Sequence, residues 1–474
     1  MSSATTVGAG GVDQPPKADP RDTDGPPSSP SFASGARVLS IGIASTGIFT
    51  FAYLATASHV LSRRDYGLIS LCWSVMFVIL SVIYRPIEQL LSRMIADRRA
   101  RGLHGHPLRV PASIQFGFAL VFVVVALALR HEIQQGMFDG SGALYWILVI
   151  GVIAYAGSYF ARGWLAGHQY FALYGALVFL ESTSRYVFPF AVAIGIGSGI
   201  GTVGLGIAVA PFASLAVMPF AFSRIRRSIP RAPAGVPVAD AAAEGPAHAG
   251  LEEASADLSL RHGAGFAASV VGIMLSEQAL MNAGVLIVAA NSGAADLTVG
   301  LTGFVFNVML IVRAPLQLFQ AIQTSILPHL AGLEVRESAD EFRRAIRTTV
   351  LVIAGFGLAV ALGLLVIGPP VMNLLLGDKG FHYGRLGLAL VGLGMGLHLV
   401  SGTLNQAALA RGRAPTAAAA WLLSAALFVI FVAAPTIHSE VTRVEVGYFG
   451  ATAVLSALLW ALYRRGPAPT AQRG

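Results

Sequence analysis

The sequence predicts an all-α polytopic membrane protein, with about 12 transmembrane helices in two six-helix lobes related by a pseudo-repeat. Three observations predict it. Of 474 residues, 55% are hydrophobic and only 12% charged, with a mean hydropathy of +0.68. A soluble domain of this size needs about twice that charge to cover its surface. The apolar residues fall into blocks of roughly 18–30, the length that crosses a bilayer core. Backbone groups in lipid must be satisfied internally, so the blocks are helices. Finally, basic residues alternate between abundance and scarcity from one interhelical segment to the next.

Taken in order, a tail at 1–36, rich in Pro, Ser, Asp and Gly, reads as disordered, with no cleavable leader. An N-terminal lobe at 37–222 follows, with spans expected near 38–60, 67–93, 110–129, 142–161, 171–197 and 200–222. Residues 223–262 open basic and turn Ala/Pro/Gly-rich and acidic, the composition of a flexible linker. The C-terminal lobe at 263–464 has spans expected near 264–289, 298–327, 348–375, 384–409, 414–434 and 446–463, before a short tail at 465–474. Between its second and third spans, Ser338-Ala339-Asp340-Glu341 is a capping-box pattern. The basic segment after it suits either an interfacial helix or a solvated turn.

The formal charge of +8 comes from 32 Lys and Arg against 24 Asp and Glu. Placed on the expected spans, 23 of the 32 basic residues fall on the side of the tails and linker and six on the other. By the positive-inside rule both termini are cytoplasmic and the span count is even. The excess charge is therefore topology, and nucleic acid is not an expected partner. The lone Cys72 permits neither an intrachain disulfide nor a multi-cysteine metal site. The histidines have no metal-ligand spacing, and there is no P-loop, nucleophile elbow or HExxH. Neither an enzyme nor a cofactor is expected.

Three arginines, Arg85, Arg185 and Arg313, and three glutamates, Glu88, Glu181 and Glu277, remain inside expected spans. An ionised side chain there costs at least several kcal/mol and must face a partner or a wet cavity. At a rise of about 1.5 Å per residue, Glu181 lies about 15 Å and Arg185 about 21 Å into the fifth span. Four residues apart, they either neutralise each other or face a cavity. Arg85 and Glu88 lie near the cytoplasmic end of the second span, where Arg85 could also snorkel to headgroups. Arg313 has no acid at helical spacing on its own span, which calls for an interhelical partner or an anionic ligand. Glu277 adjoins Gln278, with Asn282 a turn on, forming a polar patch suited either to an ion or to sugar hydroxyls. Other amides and hydroxyls (Ser276, Asn307, Gln317, Gln320, Gln323, Asn405 and Gln406) could equally join helices.

The halves echo one another. Tyr84-Arg85-Pro86 in the second span answers Arg313-Ala314-Pro315 in the eighth, and Ala161-Arg162-Gly163 after the fourth answers Ala410-Arg411-Gly412 after the tenth. Both prolines should disturb their helices. Three further segments carry a likeness to a known group. They are Leu61-Ser62-Arg63-Arg64-Asp65-Tyr66-Gly67 in the first outer loop; Ala161-Arg162-Gly163 with Gly167 and Tyr170-Phe171, leading to Glu181 and Arg185; and the run from Arg313 and Pro315 through Leu327-Pro328 to Ala331-Gly332-Leu333.

With the six-plus-six layout, these segments resemble the multidrug/oligosaccharidyl-lipid/polysaccharide (MOP) exporter superfamily, specifically its polysaccharide-biosynthesis (Wzx-like) flippases. The resemblance implies two lobes that alternate access across a central cavity. It implies a polyprenyl-diphosphate-linked oligosaccharide moved from the cytoplasmic to the outer leaflet of a bacterial plasma (inner) membrane, with a glycan polymerase or glycosyltransferases as neighbours. Arginine suits a diphosphate because its planar guanidinium bonds it bidentately. The expected diphosphate-binding residues are thus Arg85, Arg185 and Arg313, while Glu88, Glu181, Glu277, Gln278 and Asn282 form the polar cavity or couple transport to protons or sodium. Drug–cation antiporters of the superfamily are expected to carry an acid in the first span, and 38–60 has none. Lipid II flippases are expected to have about fourteen spans. A drug or metabolite antiporter on the same fold, and a non-transporting scaffold for glycan-assembly enzymes, are the alternative functions.

Overall fold

The computed structural model describes residues 30–100, 108–228, 246–291, 299–313, 315–316, 339–377 and 380–465. Among them the chain is all helical. In the first half α1 is Pro30–Val60, α2 Arg63–Ala96, α3 Arg109–Ala128, α4 Gly142–Gly167, α5 Phe171–Ala193 and α6 Gly199–Ser223. In the second, α7 is Pro246–Asn291, α8 Val299–Arg313, α9 Ala339–Leu376, α10 Arg385–Ala410, α11 Ala414–Ala433 and α12 Glu440–Arg464. Nine helices among the described residues are long and apolar enough to cross a membrane. The described part of α8 is short, and α5 carries Glu181 and Arg185 at its middle. Rows of exposed leucine, valine and phenylalanine on α3 and α9 suit a surrounding lipid.

Helix starts follow local chemistry. Ser62, Ser141 and Ser439 accept backbone N–H bonds from Asp65 at 3.1 Å, Leu144 at 3.3 Å and Thr442 at 3.3 Å, each satisfying a donor the first turn leaves open. In α2 the residues Leu80–Tyr84 form a π-helical turn directly before Arg85-Pro86. Proline has no N–H to continue the ladder, so the widened turn sits where the expected disturbance falls.

Packing makes the pseudo-repeat visible. In the first lobe α1 lies along α5, α5 along α6, and α4 along α6; in the second α7 lies along α11, α11 along α12, and α10 along α12. These three pairs are equivalent in the two lobes, whereas α9 packs along α10 far more closely than its counterpart α3 does along α4. At the α1–α5 crossing Gly42 meets the Gly175 backbone so closely that a Cβ would sit 2.6 Å from its carbonyl oxygen.

The structure departs from expectation at several boundaries. The linker read at 223–262 is partly helical, because α7 reaches back to Pro246; residues 229–245 lie outside the described ones. The segment after Ser338 is neither a separate interfacial helix nor a turn but the start of the continuous α9, with Arg343, Arg344 and Arg347 exposed. The outer loop read at 61–67 is mostly the first turn of α2. Its Tyr66 and Gly67 lie where the two lobes meet.

At the Tyr66 end the meeting is hydrogen-bonded, and further along α2 the turn Leu80–Tyr84 also packs on α7. Tyr66 donates to Asn307 Oδ1 of α8 at 2.5 Å, and Asn307 Nδ2 donates to the Tyr383 hydroxyl at 3.2 Å. Tyr383 in turn donates to the Gly377 carbonyl at 3.1 Å. Ser58 donates to the Leu376 carbonyl, and the Arg63 guanidinium lies 4.9 Å from the Phe381 ring centre. Gly67 packs against the Val299 carbonyl, where any Cβ would collide. Toward the other end, which carries Glu88, the lobes part around a cavity.

Candidate functional site

The cavity has a volume of about 620 Å³. It is lined from mid-helix to the Glu88 end by α1, α2, α4 and α5 of one lobe and α7, α8 and α10 of the other. Four arginines, Arg85, Arg162, Arg185 and Arg313, and three glutamates, Glu88, Glu181 and Glu277, line it, leaving one formal positive charge in excess. All eight residues expected at a site from sequence (Arg85, Glu88, Glu181, Arg185, Glu277, Gln278, Asn282 and Arg313) lie on this one wall.

The first lobe contributes a closed network. Glu181 is its hub, accepting from Arg162 Nη2 at 2.5 Å, Ser158 Oγ at 3.0 Å and Arg185 Nη2 at 3.1 Å. Arg185, 1% exposed, also donates to the Tyr155 hydroxyl at 2.5 Å and Thr50 Oγ1 at 3.4 Å. Its guanidinium lies 5.0 Å from the Trp73 ring centre, in a stack with Tyr53 and Phe77. Two cations on one carboxylate, each with further bonds, meet the requirement that buried charge be paired. Closer to the Glu88 end, Tyr174 donates to Glu88 Oε1 at 2.7 Å.

The second lobe is different. Arg313 Nη2 donates to Asn282 Oδ1 at 2.7 Å and the Met281 carbonyl at 3.1 Å, and its guanidinium lies 4.4 Å from the Phe306 ring centre. Asn282 Nδ2 donates to Gln278 Oε1 at 3.0 Å, which fixes the amide with its oxygen toward the arginine. Arg313 Nε is buried without a hydrogen-bond partner. Among the described residues no carboxylate pairs with Arg313, and the groups there that meet its charge are neutral. Arg85 lines the cavity from the opposite lobe, on the same α2 as Glu88.

Sequence reasoning missed Arg162, together with Tyr155, Tyr159 and Tyr174. Arg162 fell just past an expected span end at 161, whereas α4 continues to Gly167 and turns it inward. Its sequence counterpart Arg411 does not follow: it donates to the Tyr463 carbonyl at 3.1 Å, outside the cavity. Among the amides, Gln406 lines the cavity, but Asn307 ties the lobes together and Asn405 accepts from Trp421 Nε1 at 3.2 Å. Ser276 bonds its own helix at Gly272, and Gln317, Gln320 and Gln323 lie outside the described residues. Glu445, which sequence placed among the loop acids, is 5% exposed within α12. No group of three or more His, Cys, Asp and Glu is arranged to hold a metal among the described residues.

No protein-family model and no curated protein matches the sequence. The fold does have solved counterparts. The chain is similar to an inward-facing conformation of a multidrug resistance MATE family transporter of the MOP superfamily, with a TM-score of 0.58 at 11% identity over 88% of this chain and 94% of that one. It is similar also to the Vibrio cholerae MATE transporter VcmN in the bent form, with a TM-score of 0.56 at 14% identity over 92% and 97%. An outward-facing conformation of a multidrug resistance MATE family transporter scores 0.52 at 15% identity over 92% and 94%. The chain therefore has the fold of these transporters, a bundle of twelve helices in two lobes.

Proposed function

We propose that the chain is a transporter of the MOP superfamily that flips a polyprenyl-diphosphate-linked oligosaccharide by alternating access. The observation that carries this reading is Arg313, a cation within the membrane whose partners among the described residues are neutral, lining with Arg85 a cavity with excess positive charge. Such an arginine is poised for an anion, and a diphosphate offers the oxygens that guanidinium groups bind bidentately. Amides and tyrosine hydroxyls around it offer both donors and acceptors to sugar hydroxyls. The isoprenoid tail would stay in lipid.

On this reading, in keeping with the positive-inside bias, the Tyr66 end faces outward and both termini face the cytoplasm, and the resemblance to polysaccharide-biosynthesis flippases implies a bacterial plasma membrane. The conformation is then inward-facing, ready to load from the cytoplasmic leaflet. Arg85 and Arg313 become the diphosphate ligands, while Arg185, held by Glu181, holds the first lobe together. Glu88 and Glu277 on the cavity wall favour a second reading, an antiporter for drugs or metabolites. Against a cationic drug stand the excess positive charge and the absence of any acid from α1.

Replacing Arg313 with Ala tests the reading: surface glycan should be lost while the protein stays inserted. Normal glycan in both Arg313→Ala and Arg85→Ala would remove the phosphate site. A deletion that changed drug susceptibility and left lipid-linked sugars unchanged would favour the antiporter.

A further inference from the structure

Three helices bring arginines together at one edge of the second lobe, at the end away from the Tyr66–Asn307 contact. There α9 and α10 run antiparallel, with Gly368 against Leu388 and Gly357 against Gly396, whose Cα lies 2.6 Å from where a Gly357 Cβ would sit. From the glycine crossing, 14 residues of α9 lead back to Arg343 and 15 of α10 lead on to Arg411. At a rise of about 1.5 Å per residue, both arginines lie about 22 Å from the crossing, at one level. Arg411 Nη1 then donates to the Tyr463 carbonyl of α12 at 3.1 Å, which sets Arg464 and Arg465 beside it. Arg413 follows in the turn to α11, and Arg344 and Arg347 lie within about a turn of Arg343. Against these seven arginines, α9 to α12 carry two acids at this end, Asp340 and Glu341.

A surface for hydrocarbon begins where the charges stop. Arg344 and Arg347 share a face of α9 with Leu351, Leu358 and Leu362, which are 61%, 52% and 53% exposed. On α12 the Trp460 ring lies 5.7 Å from the Tyr463 ring, and the Arg411 guanidinium lies 4.8 Å from the same tyrosine. Tryptophan and tyrosine collect at headgroup depth in membranes. The first lobe does not repeat the arrangement. Its α3, the counterpart of α9, starts with a single arginine, Arg109, and Arg162, the counterpart of Arg411, turns into the cavity onto Glu181.

We infer that this edge of the second lobe is a binding site for an anionic phospholipid. The arginine ends of α9, α10 and α12 hold its phosphate, and its acyl chains lie along α9. Guanidinium groups fork onto phosphate oxygens, and several of them near a bilayer surface favour anionic lipid over zwitterionic. The match is one of order as well as charge, because cations and exposed leucines follow one another along a single helix face, as headgroup and tails do in a lipid. A phosphorylated protein would meet the cations and leave the leucines uncovered. The inference needs a chain that sits in a membrane, and it does not depend on the cargo.

The test titrates full-length protein, purified in detergent, with palmitoyl-oleoyl phosphatidylglycerol or phosphatidylethanolamine, and reads bound lipid by native mass spectrometry. Phosphatidylglycerol should bind about tenfold more tightly than phosphatidylethanolamine. Arg343→Gln, Arg344→Gln and Arg464→Gln, all at exposed positions, should each weaken phosphatidylglycerol about fivefold. Arg109→Gln, at an exposed arginine on the same end of the first lobe, should leave it unchanged. Equal binding of the two lipids, or three edge variants that bind like the wild type, would overturn the site. An equal loss in Arg109→Gln would overturn it too, by reducing the effect to the general field of a basic face. Because the probe is a bulk phospholipid, failure of the flippase reading leaves this result standing.

Discussion

Arginine is tolerated inside a membrane only when its guanidinium is occupied, and the cavity arginines are occupied in different ways. Arg162 and Arg185 share Glu181 and hold helices together. Without Arg185 the Glu181 carboxylate keeps Arg162, but one of its oxygens, the Tyr155 hydroxyl and Thr50 Oγ1 lose their buried charged donor. Arg185→Ala should therefore lower stability by about 1–3 kcal/mol, seen as a reduced Tm in detergent. Arg313→Ala should leave Tm nearly unchanged, since it breaks only bonds to neutral groups, yet weaken binding of a diphosphate lipid about 10- to 100-fold. Arg313→Lys should recover only part of the loss, because an ammonium lacks the bidentate fork. Equal Tm losses for Arg185→Ala and Arg313→Ala would refute this division of labour. Sequence already set the two apart, because Glu181 stands four residues before Arg185 on α5 whereas Arg313 has no acid at helical spacing on its own span. What spacing along one helix could not report is the second cation on Glu181, Arg162 of α4, and the Asn282 amide that meets Arg313 from α7.

At the scale of elements, the ends of α1, α2, α8 and α9, with the loop that follows α9, form a clasp. The Tyr66–Asn307 bond and the bond from Ser58 to the Leu376 carbonyl cross from one lobe to the other, and alternating access requires that they break together. Tyr66→Phe removes the bond to Asn307, worth about 1 kcal/mol, and should raise the outward-open population about fivefold, read as lobe separation by electron–electron resonance between spin labels on the outer ends of the two lobes. Gly67→Ala should act more severely, since its Cβ would meet the Val299 carbonyl; the inward-facing packing should be lost or the protein destabilised. A Gly67→Ala protein with unchanged lobe separation would show that this contact does not close the outer end. The Tyr66-Gly67 pair was legible as a motif, but its place at the lobe contact depends on the return of α8, far along the chain. Arg162 was lost for a simpler reason: hydropathy falls at the charged residue, so the span appeared to end there, whereas the helix ran another turn.

For the whole molecule, the architecture was nearly complete in the sequence because lipid imposes it. Helices of bilayer length, an even count and the charge bias all follow from burying backbone and placing arginines. The repeat of Arg85-Pro86 and Arg313 with Pro315 located the second helix of each half, and both arginines do line one cavity. Solved MATE structures share the fold at 11–15% identity, which leaves the cargo to be decided by the cavity. The central claim, that this cavity carries a diphosphate-linked oligosaccharide outward, is tested most directly by leaflet assignment in a deletion strain. If it holds, polyprenyl-linked oligosaccharide accumulates on the cytoplasmic leaflet, and wild-type protein but not Arg313→Ala clears it. Oligosaccharide lipid reaching the outer leaflet at its normal rate in the deletion strain, with no second flippase gene present, would contradict the claim.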